Sequence, residues 1–149
     1  MNRESQMISN EAEVSRIVDC DGALHSLPPC VQSVLEHVAN SEVNCTTLRL
    51  HFATEVVAGQ TVICQEAIDQ VPVLLRANII MLMHLFCHQE LIPESWKNYT
   101  TLGFPGTVVE TSRGNKAILA LGWSGKNWYI GVRKLSYLSS AKKPLVYIG

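Results

Sequence analysis

KAILALGWSGKNWYIGVRKL, residues 116–135, reads as two strands closed by a turn. Isoleucine, leucine, valine, tryptophan and tyrosine fill both arms, and Ser-Gly-Lys-Asn between them has the composition of a tight connection. A symmetric closure puts Trp123 opposite Trp128 and Leu121 opposite Ile130 on one side, with Ala120 opposite Gly131 and Gly122 opposite Tyr129 on the other. Cross-strand pairs of this kind are what stabilises a sheet. The small residues of the second side let a helix or a ligand come close to the backbone, and the tyrosine ring can cover the bare glycine.

Working outward, VVET (108–111) precedes this hairpin across SRGN, and LVYIG (145–149) follows it after Lys142, Lys143 and Pro144, so the C-terminal third is expected to be an antiparallel meander of three to four strands. LGFPGT (102–107) lacks the lysine and serine or threonine of a phosphate-binding loop and reads as a turn into the sheet. Upstream, the stretch from Val71 or Pro72 to Leu91, stopped by Pro93, is expected to form one long buried helix, oily on all sides from Ile79 to Cys87 apart from His84. Gly59-Gln60 between Val56-Val57 and Val62-Ile63 suits a hairpin turn. Leu48, Leu50 and Phe52 alternate with Arg49, His51 and Ala53 as in a half-buried strand.

The first third reads as helical. Asn10 with Glu13 resembles a capping box, Val14, Ile17 and Val18 make one stripe, and Gly22 can end the helix. After Pro28-Pro29, Val31, Val34, Leu35 and Val38 fall at the spacing of an amphipathic helix. The expected class is therefore α+β, a single domain over 1–149 with residues 1–9 disordered: N-terminal helices, one β-hairpin, a long buried helix and the meander.

The chain has 149 residues, of which 47% are apolar and only 17% charged, against roughly 25% charged in typical domains. A surface short of charge is expected to meet another subunit in part. Neither a signal peptide nor a membrane-spanning run is legible, and five cysteines at 20, 30, 45, 64 and 87 show no C-x-x-C spacing. A reduced, cytoplasmic protein with mostly buried thiols is the expectation.

MLMHLFCHQE (81–90) is the stretch that raises the question of chemistry. His84 and His88, four apart on a helix, could share a metal, with His37, His51, Cys64 or Glu90 as further ligands; Cys87 could be a thiol nucleophile activated by His84. The plainer reading, which we prefer, is a core helix in which Cys87 is a small apolar residue and His88 stabilises the last turn. Neither H-E-x-x-H nor G-x-S-x-G occurs.

Charge is divided along the chain. Residues 1–106 hold five basic and twelve acidic residues, and residues 107–149 hold seven basic residues against Glu110 alone. Asymmetry of this kind points toward nucleic acid, and the cations interleave with Trp123, Trp128, Tyr129 and Tyr137. Equally, acidic helices of the same chain can neutralise the basic sheet, and tryptophans at a hairpin are commonly anchors. Arg76 is expected to pair with Glu66 or Asp69, or else to contact an anion. The expected function is a binding or interaction module without cofactor or catalytic machinery, homo-oligomeric, taking a protein or small molecule. Trp123, Trp128, Tyr129, Arg133, Lys126 and Arg76 are its candidate contacts. Nucleic-acid binding by the basic sheet is the alternative, and a metal- or thiol-dependent enzyme built on His84, Cys87 and His88 the third reading.

Overall fold

A computed structural model describes residues 15–22, 24 and 27–149. The described residues form more strand than helix, which corrects the expected architecture throughout the upstream half. The expected fourth strand of the meander is corrected too, since Leu145–Ile148 pairs antiparallel with Leu48–His51 and in parallel with Gly103 rather than continuing from the hairpin. Strands β1 (Ile17–Asp19) and β3 (Glu42–Asn44) pair antiparallel as a small ribbon. A six-stranded sheet holds the rest, in the order β4 (Leu48–His51), β8 (Leu145–Ile148), β5 (Thr101–Thr111), β6 (Lys116–Trp123), β7 (Trp128–Lys134), with β2 (Val31–His37) also paired to β5. The described residues hold three short α-helices, α1 (Thr54–Val57), α2 (Cys64–Asp69) and α3 (Ile79–Cys87), and only α3 falls within the stretch expected to form one long helix.

Each correction has a local cause. The helix expected around Ile17 and Val18 is strand β1, and its proposed cap at Asn10 lies outside the described residues. Val31–Val38 carries helical spacing because β2 contains two bulges, between Val31 and Ser33 and between Val34 and Glu36. Each bulge inserts a residue without a partner, so a period of two is stretched toward three. Gly59 ends a helix rather than turning a hairpin: with φ +79° it follows α1, its amide bonds the Val56 carbonyl at 3.1 Å, and the Gln60 amide bonds the Glu55 carbonyl at 2.6 Å. That is the Schellman arrangement, which relieves the last carbonyls of a helix.

The long helix is interrupted because Asn78 starts α3. Its side chain accepts from the amides of Ile80 and Met81, while its own amide group donates to the carbonyls of Cys20 and Val38. Only nine residues follow before the helix ends at Cys87. LGFPGT lies inside β5 rather than leading into it. Pro105 has no amide to give, the β5–β6 register is irregular between Phe104 and Val108, and the Gly106 amide turns away to the Ala77 carbonyl at 2.8 Å. The bend divides the partners of β5: Gly103 lies beside β8, in parallel, and Thr107–Thr111 beside β2.

The middle of the sheet, β5 and β6, is buried on both faces. Leu119, Leu121 and Trp128 join Met81, Leu82 and Leu85 of α3 in the larger core, while Ile118 and Leu145 join Cys64, Ala67 and Ile68 of α2 in a smaller one. This explains why β6 reads as a nearly continuous apolar run. No helix among the described residues is long and apolar enough to cross a membrane.

Candidate functional site

The hairpin closes in the expected register, with Trp123 opposite Trp128, Leu121 opposite Ile130, Ala120 opposite Gly131 and Gly122 opposite Tyr129. Its aromatic rings are largely committed to the protein. Trp128 is 6% exposed, its ring lies 5.3 Å from that of Trp123 in a tilted pair, and the Lys97 ammonium sits 4.2 Å from the centre of the Trp123 ring. Tyr129 is partly exposed but lies across Gly122, where a Cβ would meet its ring. Lys126 stands exposed at the turn.

Arg133 is buried and works as a clamp. Its guanidinium donates to the carbonyls of Lys143 at 3.2 Å and Pro144 at 3.3 Å, and to both the carbonyl and the hydroxyl of Thr101. The segment before β8 is thereby fastened to the start of β5. Burial pulls the arginine pKa down from its ordinary value, an effect that neighbouring Cys64 opposes; burial raises the Cys64 thiol, and the guanidinium pulls it back. Arg76 pairs with neither Glu66 nor Asp69, contrary to expectation: its Nε donates to the Val71 carbonyl at 2.9 Å, and Asp69 accepts from Gln65.

On α3 the two histidine rings are 4.8 Å apart, and His84 Nε2 lies 2.9 Å from the Ser15 carbonyl. Cys87 is exposed rather than a small core residue, because it closes the last turn of a helix shorter than expected. Among the described residues no three histidine, cysteine or acidic side chains gather as a metal site would require. Among the described residues His84, Cys87 and His88 thus share a turn without the further ligand a metal would need.

Of the sheet's strands paired on one side only, β2 is bulged and β4 is four residues long, which leaves β7 as the long regular edge. Ser124 N donates to Asn127 O at 3.0 Å and Leu135 N to Lys116 O at 3.1 Å, which fixes the hydrogen-bonding phase of the hairpin from both ends. Tyr129, Gly131 and Arg133 therefore bond to β6, and the amides and carbonyls of Trp128, Ile130 and Val132 point outward. Among the described residues these outward groups have no hydrogen-bond partner. β7 is seven residues long, unbulged against β6 and free of proline, and Val132 is 39% exposed. Natural edges usually carry a device that blocks pairing.

Beside this edge run two adjoining depressions. One, of about 310 Å³, is lined by Ile63, Gln65, Lys116, Leu135 and Ser136; the other, of about 210 Å³, by Cys30, Thr111, Arg113 and Val132; Asn115 and Lys134 border both. Helix α2 positions the first. Its leading amides, on Cys64 and Gln65, donate to the carbonyls of Tyr137 at 2.7 Å and Leu135 at 3.0 Å, so the chain just past β7 serves as its cap. Among the described residues neither depression is lined by a carboxylate, and Glu110, the register partner of Lys116, forms no ion pair with it. A larger hollow of about 440 Å³ carries both signs, in Arg16, Arg49 and Glu90, and the Arg49 guanidinium is spent on the carbonyls of Thr46 and Leu48.

Lys134 borders both depressions, Lys116 the first and Arg113 the second, and none of the three was singled out as a contact from the sequence. The interleaving of cations with aromatics was the available signal, but which cations stay free depends on the fold. Comparison of the chain with protein-family models, curated proteins and solved structures returns no match.

Proposed function

We propose that this domain is an intracellular, cytoplasmic binding module that recognises an extended polypeptide segment by adding it as a strand to β7, and that it performs no chemistry of its own. The observation that carries the reading is the row of outward amides and carbonyls on Trp128, Ile130 and Val132, which have no partner among the described residues. An incoming strand satisfies such groups directly, and its alternate side chains then supply specificity. The five unbridged cysteines fit a reducing compartment.

A second copy of the chain is the other occupant that the register favours. About a twofold axis through Gly131, Ile130 of one copy would face Val132 of the other and Lys134 would face Trp128, so no like charges oppose each other along β7. The packed Trp128 ring gives less support to nucleic-acid stacking, and among the described residues no further ligand joins the α3 histidines and cysteine.

The test is amide hydrogen exchange, with native mass spectrometry on the same samples. In dilute protein the amides of Ile130 and Val132 exchange quickly; a ten-residue alternating Glu-Val peptide in excess slows them if strand addition occurs. Slowing with rising protein concentration, accompanied by a doubled mass, assigns the edge to self-association. Fast exchange under both conditions overturns the reading. Val132→Pro supplies the control, since the amide it removes faces outward and takes no part in the bonds to β6.

A further inference from the structure

We infer that the segment received at β7 is acidic, its carboxylates paired with Arg113, Lys116 and Lys134; this rests on the strand-addition reading and specifies its partner. The three cations border depressions that meet at Asn115 and Lys134, and one of those depressions reaches Val132 on the open strand. A chain laid along β7 therefore passes beside them.

The charges are available for a partner. The one ion pair found among the described residues joins Lys97 to Glu94, far along the chain from these three. Lys134 does face the Tyr137 ring at 5.1 Å, a contact that leaves an ammonium able to accept a carboxylate as well. Other cations of the basic third are engaged elsewhere: Arg133 clamps Thr101 to Lys143 and Pro144, and the Lys142 ammonium donates to the Asn98 carbonyl. A like-sign cluster with no carboxylate in its lining attracts the opposite sign.

A polypeptide fits better than a nucleic acid for two reasons. The walls between the cations are apolar, at Ile63, Leu135 and Val132, and the adjacent backbone offers alternating donors and acceptors at strand spacing. Single-stranded nucleic acid would instead call for free ring faces; Trp128 is buried, and of the two exposed tyrosines Tyr129 lies across Gly122 and Tyr137 is faced by the Lys134 ammonium.

The experiment compares three fluorescent probes on the intact chain by anisotropy: ten-residue alternating Glu-Val and Gln-Val peptides, and a ten-nucleotide thymidine strand. Exchange of the Ile130 and Val132 amides is followed in parallel. The expectation is that Glu-Val binds about tenfold more tightly than Gln-Val at low salt and loses most of that margin in 0.5 M salt, as exposed pairs do. Lys116→Gln with Lys134→Gln, which leaves Arg113 alone, should remove most of the margin while leaving Gln-Val binding, and the protection of both amides, in place. Equal binding of the two peptides with protected amides overturns this inference and spares strand addition. Absence of protection with every peptide removes both. Tighter binding of the oligonucleotide than of Glu-Val, lost in the double variant, assigns the groove to nucleic acid and overturns the acidic-peptide inference.

Discussion

Gly106 lies directly against the backbone of Ala77. Its amide donates to the Ala77 carbonyl oxygen at 2.8 Å, and a Cβ at position 106 would come within 2.7 Å of the Ala77 carbonyl carbon. Because the obstructing atoms are backbone, no side chain can swing aside. Gly106→Ala should therefore cost about 2–3 kcal/mol or more, at the upper end of overpacking changes. Gly131→Ala is the companion: the nearest atom to its Cβ would be 3.5 Å away, and its stability should change by less than about 0.5 kcal/mol. Urea denaturation of the pair checks the contrast.

Asn78 is fully buried and makes four hydrogen bonds, two into α3 and two to the carbonyls of Cys20 and Val38. Asn78→Ala should cost about 3 kcal/mol, combining the loss of a cap with two stranded carbonyls. Asn78→Asp keeps the cap acceptor but turns a buried carboxylate toward those carbonyls, and should be no more stable than the alanine variant. A fully restored midpoint with aspartate would show that the cap alone matters.

The arginine clamp gives a third expectation. An ammonium cannot reach Thr101 on one side and Pro144 on the other with the planar fork that Arg133 uses. Arg133→Lys should lower stability by about 2 kcal/mol and raise exchange of the Gly103 amide, which bonds the Pro144 carbonyl at 3.0 Å. An unchanged Gly103 amide would mean that the segment is held by something else.

Much of the hairpin was legible because its turn is symmetric and its two arms are pleated without interruption. Elsewhere the same cues misled for definite reasons. The bulges of β2 imitate helical spacing at Val31 and Val34, and Gly59 has the positive φ that both a hairpin turn and a helix terminus accept. Asn78 breaks an apolar run from within, by bonding to Cys20 and Val38, which are distant in sequence. The candidate site was the least legible part. Trp128 and Arg133 have the residue types of a contact surface but are buried, whereas the openness of β7 follows from which strands flank it.

Acid should weaken the fold through His37. Its Nδ1 lies 2.8 Å from the Thr107 hydroxyl, which also receives the Ile79 amide at 2.9 Å, an arrangement suited to a neutral ring. Burial lowers the His37 pKa from its ordinary 6.5, with Asp21 pulling weakly the other way. The unfolded chain then takes up the proton first as pH falls, so this contribution is present above 6.5 and is lost as pH drops through the folded value. Thermal melts from pH 8 to pH 5 should show the decline, and His37→Gln should flatten it.

Thiol labelling should sort the cysteines by burial. Cys87 is exposed, while burial, aided by Asp19 and Asp21, raises Cys20 to about 11, and burial also raises Cys45 and Cys64. Iodoacetamide at pH 7.5 should modify Cys87 first in the native protein and leave Cys20, Cys45 and Cys64 until denaturant is added. Peptide mass mapping over time reads the order.

The pairing of β4 with β8 sets a limit on how the protein can be made. Leu48 sits opposite Ile148 in antiparallel register, and β8 is the sheet neighbour of β4. On the ribosome, β4 must wait for the 93 residues from 52 to 144 to be made before that neighbour follows. During this interval the nascent chain carries an uncompleted strand, and contacts so distant in sequence close slowly. The chain is therefore most exposed to misassembly while it is still being translated, and folding assistance at that stage should matter more than any later rescue.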